Sequence, residues 1–273
     1  MAAPHVITTG LDDPRLEAYR DLTNPDALGA RGLFVAEGRL VVDRLVRGGR
    51  HLVHSLLLTD TAAAAMAPTL AALDHVTPVF VVPQAVMNGV VGFNIHRGCL
   101  GLAARPVTPP FDTQPWAAYR RVVVAEGVNN PDNVGSLFRN AAALGAETIV
   151  LGPGCADPLY RKAIRTSMAA TLSLPWVVAS AWPDALDVLR AAGLMVIACA
   201  PDAGAASLYD VALPARAAVL VGAEGNGLTA AARARADLIV RVPMHGEMDS
   251  LNVATAAAVV LSALAGREGA PGG

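Results

Sequence analysis

Three times after residue 120 of this 273-residue chain a short apolar run stops at a polar, turn-forming segment, and that alternation constrains the fold more than any other feature. Val122 to Ala125 runs into Asn-Asn-Pro-Asp-Asn and then a helix-like pattern. Ala217 to Val221 runs into a turn holding Gly222, Gly225 and Gly227. Leu238 to Val242 runs through Pro243 to Glu247 into a long Ala/Val-rich helix ending near Ala265. Such unbroken apolar runs read as buried strands alternating with helices, an α/β arrangement. Open α/β sheets bind ligands beyond the carboxyl ends of their strands, which is where all three polar segments lie.

Each segment has a structural and a chemical reading. The Asn129 to Ala146 stretch, NNPDNVGSLFRNAAALGA, suits a plain strand-to-helix loop, and equally a loop in which an Asn or Asp caps the helix while Gly135 lets backbone approach a ligand. Asn133 and Arg139 are about 240° apart at ~100° per residue, so they meet only if Asn133 sits at the helix mouth and the Arg side chain reaches back. The second turn carries a carboxylate, Glu224, among its glycines, which makes it a site candidate. Its order is G-x-x-G-x-G rather than the dinucleotide fingerprint, which argues against a Rossmann-type dehydrogenase or an ordinary Rossmann-type methyltransferase. In the third segment Asp249 or Ser250 is the expected N-cap, while Asn252, a polar amide in an apolar first turn, must face water or serve a ligand.

Taken in order, NNPDNVGSLFRNAAALGA, LVGAEGNGL (Leu220 to Leu228) and VPMHGEMDSLNVATAAA (Val242 to Ala258) are similar to the three signature motifs of the SpoU/TrmH family of RNA ribose 2′-O-methyltransferases, over roughly residues 120 to 265. The resemblance implies an α/β fold of the SPOUT superfamily: a parallel-sheet methyltransferase domain with a trefoil knot, using S-adenosylmethionine. It implies catalytic roles for Asn133, Arg139, Glu224, Ser250 and Asn252. It implies cofactor contacts, largely through backbone, from Leu220, Gly222, Glu224, Gly225, Val242, Met244, Ser250, Leu251 and Asn252. Family models make the conserved arginine, here Arg139, the base that activates the 2′-hydroxyl, with Asn133 orienting it. An arginine stays charged at neutral pH, so that role needs an unusual environment or a phosphate relay, and an electrostatic clamp on substrate phosphate is the other reading. Ala223 departs from the Asn or Ser of many relatives, and His245 and Glu247 read as surface-loop residues.

At 53% hydrophobic the chain can bury one large or two ordinary cores. Ala104 to Ala118, with four prolines, reads as a linker, giving an N-terminal domain over 1–103, a linker over 104–118 and a methyltransferase domain over 119–273. In the first of these, Phe34 to Val46 has helical spacing through Phe34, Leu40, Val41 and Leu45, while Val53 to Leu58, Val79 to Val82 and Gly98 to Ala103 read as strands. Phe34, Glu37, Gly38 and His96-Arg97-Gly98 resemble the smaller α/β substrate-binding domain of many SpoU-type enzymes, which has the fold of kink-turn-binding ribosomal proteins.

Net charge of −2 is not the profile of a general nucleic-acid binder. Positive charge is local, in Arg31, Arg39, Arg44, Arg47 and Arg50 and again in Arg161, Lys162 and Arg165, clusters that serve either a solvated face or phosphate. The expected RNA contacts are Arg39, Arg44, Arg47, Arg97 and Arg139. Cys99, Cys155 and Cys199 are far apart and suit reduced thiols in a cytoplasmic protein; no metal spacing, leader or membrane span is evident. The reading is an RNA 2′-O-methyltransferase, acting on ribosomal RNA and working as a homodimer. A tRNA-directed enzyme, a thiostrepton-resistance type, a knotted base methyltransferase and a non-catalytic RNA-binding or ribosome-assembly factor are the competing readings.

Overall fold

The computed structural model describes residues 5–20, 22, 24–95, 97–202, 204–245 and 249–266; His96, Glu247 and the tail after Gly266 lie outside the described residues. The chain forms two compact units, one of residues 1–107 with 158–173 and one of residues 108–157 with 174–273.

The first unit holds a five-stranded mixed sheet of β1 (His5–Thr8), β2 (Leu33–Glu37), β3 (Val53–Leu58), β4 (Pro78–Val81) and β5 (Cys99–Ala104), in the order β1-β4-β3-β5-β2. β3 and β5 occupy their expected runs within a residue, and β4 is offset by one. The helix expected over Phe34 to Val46 is different: Phe34 lies in β2, paired antiparallel with Ala103 of β5, and the helix is Arg39–Gly48. Gly38 separates the two, with φ of 98°, a left-handed value that a side chain would strain. The helix buries Val41, Val42 and Leu45, while Leu40 is 45% exposed. Leu16, Tyr19, Leu57, Phe80, Met87 and Leu100 fill the core on the sheet.

Residues 158–173 add the helix Arg161–Thr166 to this unit. Its Arg161 and Arg165 both reach the Glu37 carboxylate, at 2.7 and 3.3 Å, and Glu37 is only 6% exposed. A buried carboxylate needs such partners, so two members of the second basic cluster hold protein. Arg44 donates to the Met168 carbonyl and Arg50 to the Ser173 carbonyl, both at 2.5 Å.

The second unit is built on seven parallel strands: β6 (Arg121–Ala125), β7 (Thr148–Leu151), β8 (Trp176–Val178), β9 (Met195–Cys199), β10 (Ala206–Ser207), β11 (Ala217–Val221) and β12 (Leu238–Arg241). Their order is β10-β12-β9-β11-β6-β7-β8. The central strands are β-branched and alanine-rich and buried along nearly their whole length, which is why their sequence shows no alternation. Val122, Val123 and Val124 have no exposed surface, and each contributes about 1.5 to 3 kcal/mol by burial. Register places Ala125 opposite Val221, so β6 and β11 end at the same level.

Among the described residues of this unit, the two longest helices pack on each other. Pro131–Ala143 starts with Asn130 as N-cap, its side chain accepting from Asp132 N at 2.9 Å, and proline at the first position, where a missing N–H costs nothing. Val253–Ala265 packs against it, with Ala254 and Ala257 buried and Asn140 Nδ2 donating to the Ala254 carbonyl at 2.9 Å. No helix among the described residues is long and apolar enough to cross a membrane.

Candidate active site

The carboxyl ends of β9, β11 and β12 open on a cavity of about 450 Å³. Its lining runs from Cys199 to Pro201 after β9, through Gly222 to Gly225 and Gly227 after β11, to Val242, Met244 and Ser250 to Val253 after β12. The turn after β11 folds back on itself at Gly222. A Cβ there would lie 2.4 Å from the Gly227 carbonyl carbon and 2.5 Å from Leu228 N, so only glycine permits so close an approach. Ala223 and Gly227 pair across the turn, Gly227 N donating to the Ala223 carbonyl at 3.0 Å.

Asn252 ties the three sequence segments together. It is the N-cap of Val253–Ala265, with Oδ1 accepting from Ala254 N at 3.0 Å and Thr255 N at 3.4 Å. The cap is therefore Asn252, and not Asp249 or Ser250 as the sequence suggests, because Ser250 and Leu251 still belong to the loop. Its Nδ2 donates to Asn133 Oδ1 and to Glu224 Oε1, both at 2.9 Å. Asn133 is 8% exposed, so its carbonyl needs that donor. Glu224 is exposed and has no cationic partner among the described residues.

The expected site residues fall into three groups. Gly222, Glu224, Gly225, Val242, Met244, Ser250, Leu251 and Asn252 line the cavity. Leu220 does not, being fully buried within β11, and Asn133 stands behind Asn252. Arg139 is exposed on the same helix as Asn133; among the described residues it has no hydrogen bond or ion pair, and Asn133 is bonded to Asn252 rather than to it. Sequence reasoning missed the β9 side of the cavity, Cys199, Ala200 and Pro201. The apolar run ending at Cys199 before Pro201 is the same strand-then-turn signal as the other three. Burial pushes the Cys199 thiol up to about 12, so it lines the site as a neutral group.

The expected RNA-contacting arginines of the first unit also divide. Arg47 pairs with Asp43 at 2.7 Å and Arg44 with the Met168 carbonyl. Arg39 and Arg97 line a polar cavity of about 630 Å³ with Asp60, Thr61 and Gln84.

Residues 120–262 match the model of the SpoU rRNA Methylase family. Over 255 residues the chain is 44% identical to an uncharacterised tRNA/rRNA methyltransferase of Mycobacterium bovis, covering 91% of this chain and 87% of that one. It is 36% identical over 192 residues to the 23S rRNA (guanosine(2553)-2′-O)-methyltransferase RlmP of Bacillus subtilis, covering 68% of this chain and 77% of that one. The AdoMet-bound rRNA methyltransferase from Sinorhizobium meliloti superposes with a TM-score of 0.79 at 26% identity, covering 96% of this chain and 98% of that one.

Proposed function

The chain belongs to the SpoU rRNA Methylase family, and from that membership and its bridged site we propose that it transfers a methyl group from S-adenosylmethionine to a ribose 2′-hydroxyl of ribosomal RNA. The observation that carries the proposal is the amide of Asn252, which joins Asn133 and Glu224 beside a cavity lined by the second and third segments and by Cys199 to Pro201.

The residues present fit the methyl donor. A cavity of about 450 Å³ lies in the range of nucleotide-sized ligands. Val221, Val240, Leu251 and Val253 offer apolar surface for a purine, and the bare backbone from Gly222 to Gly227 offers N–H and C=O groups for its polar edge. Glu224, without a cation of its own among the described residues, suits a positively charged ligand. When bound, S-adenosylmethionine supplies a methyl carbon made electrophilic by its sulfonium.

The remaining roles belong to the chain. Arg139, exposed and without a partner among the described residues, is assigned to the substrate, holding the 2′-hydroxyl or its neighbouring phosphate. Asn133 and Glu224 fix Asn252, and Ser250 and Asn252 position the ribose. Arg39 and Arg97 are the first unit's proposed RNA contacts, because Arg44 and Arg47 are engaged elsewhere. Family membership further supports a trefoil knot in the second unit, a homodimer built near it, and a cytoplasmic site of action. The resemblance of the N-terminal motifs supports the kink-turn-binding fold for an N-terminal domain of residues 1–103, joined by residues 104–118 to a methyltransferase domain of residues 119–273, of which residues 158–173 pack within the first unit.

Incubating the protein with labelled methyl donor and ribosomal RNA, then digesting to nucleosides, tests the reading. A labelled 2′-O-methylnucleoside is expected. Label on a base, or none on any RNA, would overturn it.

A further inference from the structure

Glu126 follows β6, outside the three signature segments, and is 4% exposed. It holds both ends of the glycine-rich turn after β11. At the entrance its backbone N–H donates to the Val221 carbonyl at 2.9 Å. At the exit its carboxylate accepts from Thr229 twice, Oε2 from the backbone N–H at 2.8 Å and Oε1 from the hydroxyl at 2.8 Å. Trp182 Nε1 donates to the same Oε1 at 2.5 Å. Among the described residues no cation pairs with it, so a buried carboxylate here is satisfied by these donors alone. Thr229 caps the next short helix, its hydroxyl accepting from Ala232 N at 3.2 Å.

Resting on the function proposed above, we propose that Glu126 is a positioning residue for the methyl-donor site: it clamps residues 222–228 so that their backbone and the Glu224 carboxylate meet the ligand already ordered. The chemistry selects this residue type. Two acceptor oxygens are needed for three converging donors, and a glutamine would turn an amide N–H₂ towards one of them. The turn's own contacts give little rigidity, since a Cβ added at Gly225 would meet nothing within 4 Å and the Ala223–Gly227 pairing is a single bridge. Ordering a loop before binding removes part of the entropy cost of binding, so losing the clamp should appear in affinity for the donor.

The test uses the full chain with Glu126→Gln, the milder Thr229→Val, and Trp182→Phe, which removes a donor to Glu126 without touching the turn. Amide hydrogen exchange over residues 222–229 and calorimetry with S-adenosylmethionine are the readouts. In Glu126→Gln and Thr229→Val, exchange in the turn should speed up and Kd for the donor rise about tenfold or more, which is ~1.4 kcal/mol. Turnover at saturating donor should fall less than threefold. Trp182→Phe should leave both readouts within about twofold. Wild-type exchange in Glu126→Gln, or equal loosening by Trp182→Phe, would overturn the clamp. Failure of the unsubstituted chain to bind the donor would overturn the proposed function instead, and the exchange measurement separates the two results.

Discussion

Asn252 donates its side-chain amide to Asn133 at 2.9 Å across a sequence separation of 119 residues. The same nitrogen reaches Glu224 at 2.9 Å, and the amide oxygen caps the helix that Asn252 begins. An amide has two N–H donors and two acceptor lone pairs, and all four are used. Three segments that look like separate turns are thus fixed by one side chain, and the helix starts Pro131 and Val253 are fixed with it.

That arrangement predicts a split between stability and activity at Asn252. Asn252→Ala loses cap and bridge, and should cost about 1 to 2 kcal/mol of stability. Asn252→Asp keeps the capping oxygen but turns a carboxylate on Glu224 and on the Asn133 carbonyl. It should melt closer to wild type yet transfer methyl groups at least a hundredfold more slowly. Melting curves and a filter-binding methylation assay check both. A fast Asp variant would mean that the cap, and not the bridge, is what the site needs.

The thiols make a pH prediction. Burial raises Cys99 and Cys199 to about 12, from an ordinary thiol value of 9.0. A raised folded pKa contributes stability below the unfolded pKa that is lost as pH rises towards the folded one, so these thiols should begin to destabilise the fold above about pH 9. Cys99, with no exposed surface, should also resist iodoacetamide at pH 8, and denaturation should remove that resistance. Rapid labelling of Cys99 in the native protein, read by mass spectrometry, would contradict the burial.

How much of the fold and site is legible in the sequence depends on the kind of signal. Strands β6, β11 and β12 are readable because buried parallel strands are unbroken apolar runs with polar stops. Phe34 misleads because its spacing to Leu40, Val41 and Leu45 fits a helix, whereas Gly38 ends β2 and restarts the chain. The polar residues of the site are readable one by one. Their partners are not, because the bonds from Asn252 to Asn133 and Glu224 depend on tertiary folding rather than helical spacing. Glu37 with Arg161 and Arg165 escapes for the same reason, their separations exceeding 120 residues.

Ion pairs and hydrogen bonds in the first unit reorder the arginines for RNA binding. Arg47 is paired with Asp43 and Arg44 with a backbone carbonyl, while Arg39 and Arg97 face a polar cavity. Neutralising Arg39 and Arg97 should weaken RNA binding and reduce the slope of log K against log salt by about 0.7 to 0.9 for each phosphate that is no longer neutralised. Arg44→Gln with Arg47→Gln should change that slope little. The reverse order, measured by fluorescence anisotropy at several salt concentrations, would assign the phosphate-binding role to the outer face of the helix.

Arg139 carries the sharpest expectation. It is exposed on the Pro131–Ala143 helix without a protein partner among the described residues, so the fold does not depend on its guanidinium. Arg139→Ala should therefore change stability by about 0.5 kcal/mol or less and leave affinity for the methyl donor nearly unchanged. Methyl transfer should fall by two to four decades, about 3 to 5 kcal/mol, the loss expected for a group used mainly in the transition state. Arg139→Lys should rescue little, because an ammonium lacks the planar fork that can hold a hydroxyl and a phosphate together. Single-turnover rates with labelled donor and ribosomal RNA, alongside calorimetry and melting curves, give the three numbers. Near-normal turnover in the alanine variant would remove Arg139 from the chemistry and leave Ser250, Asn252 and Glu224 as the groups that must meet the ribose.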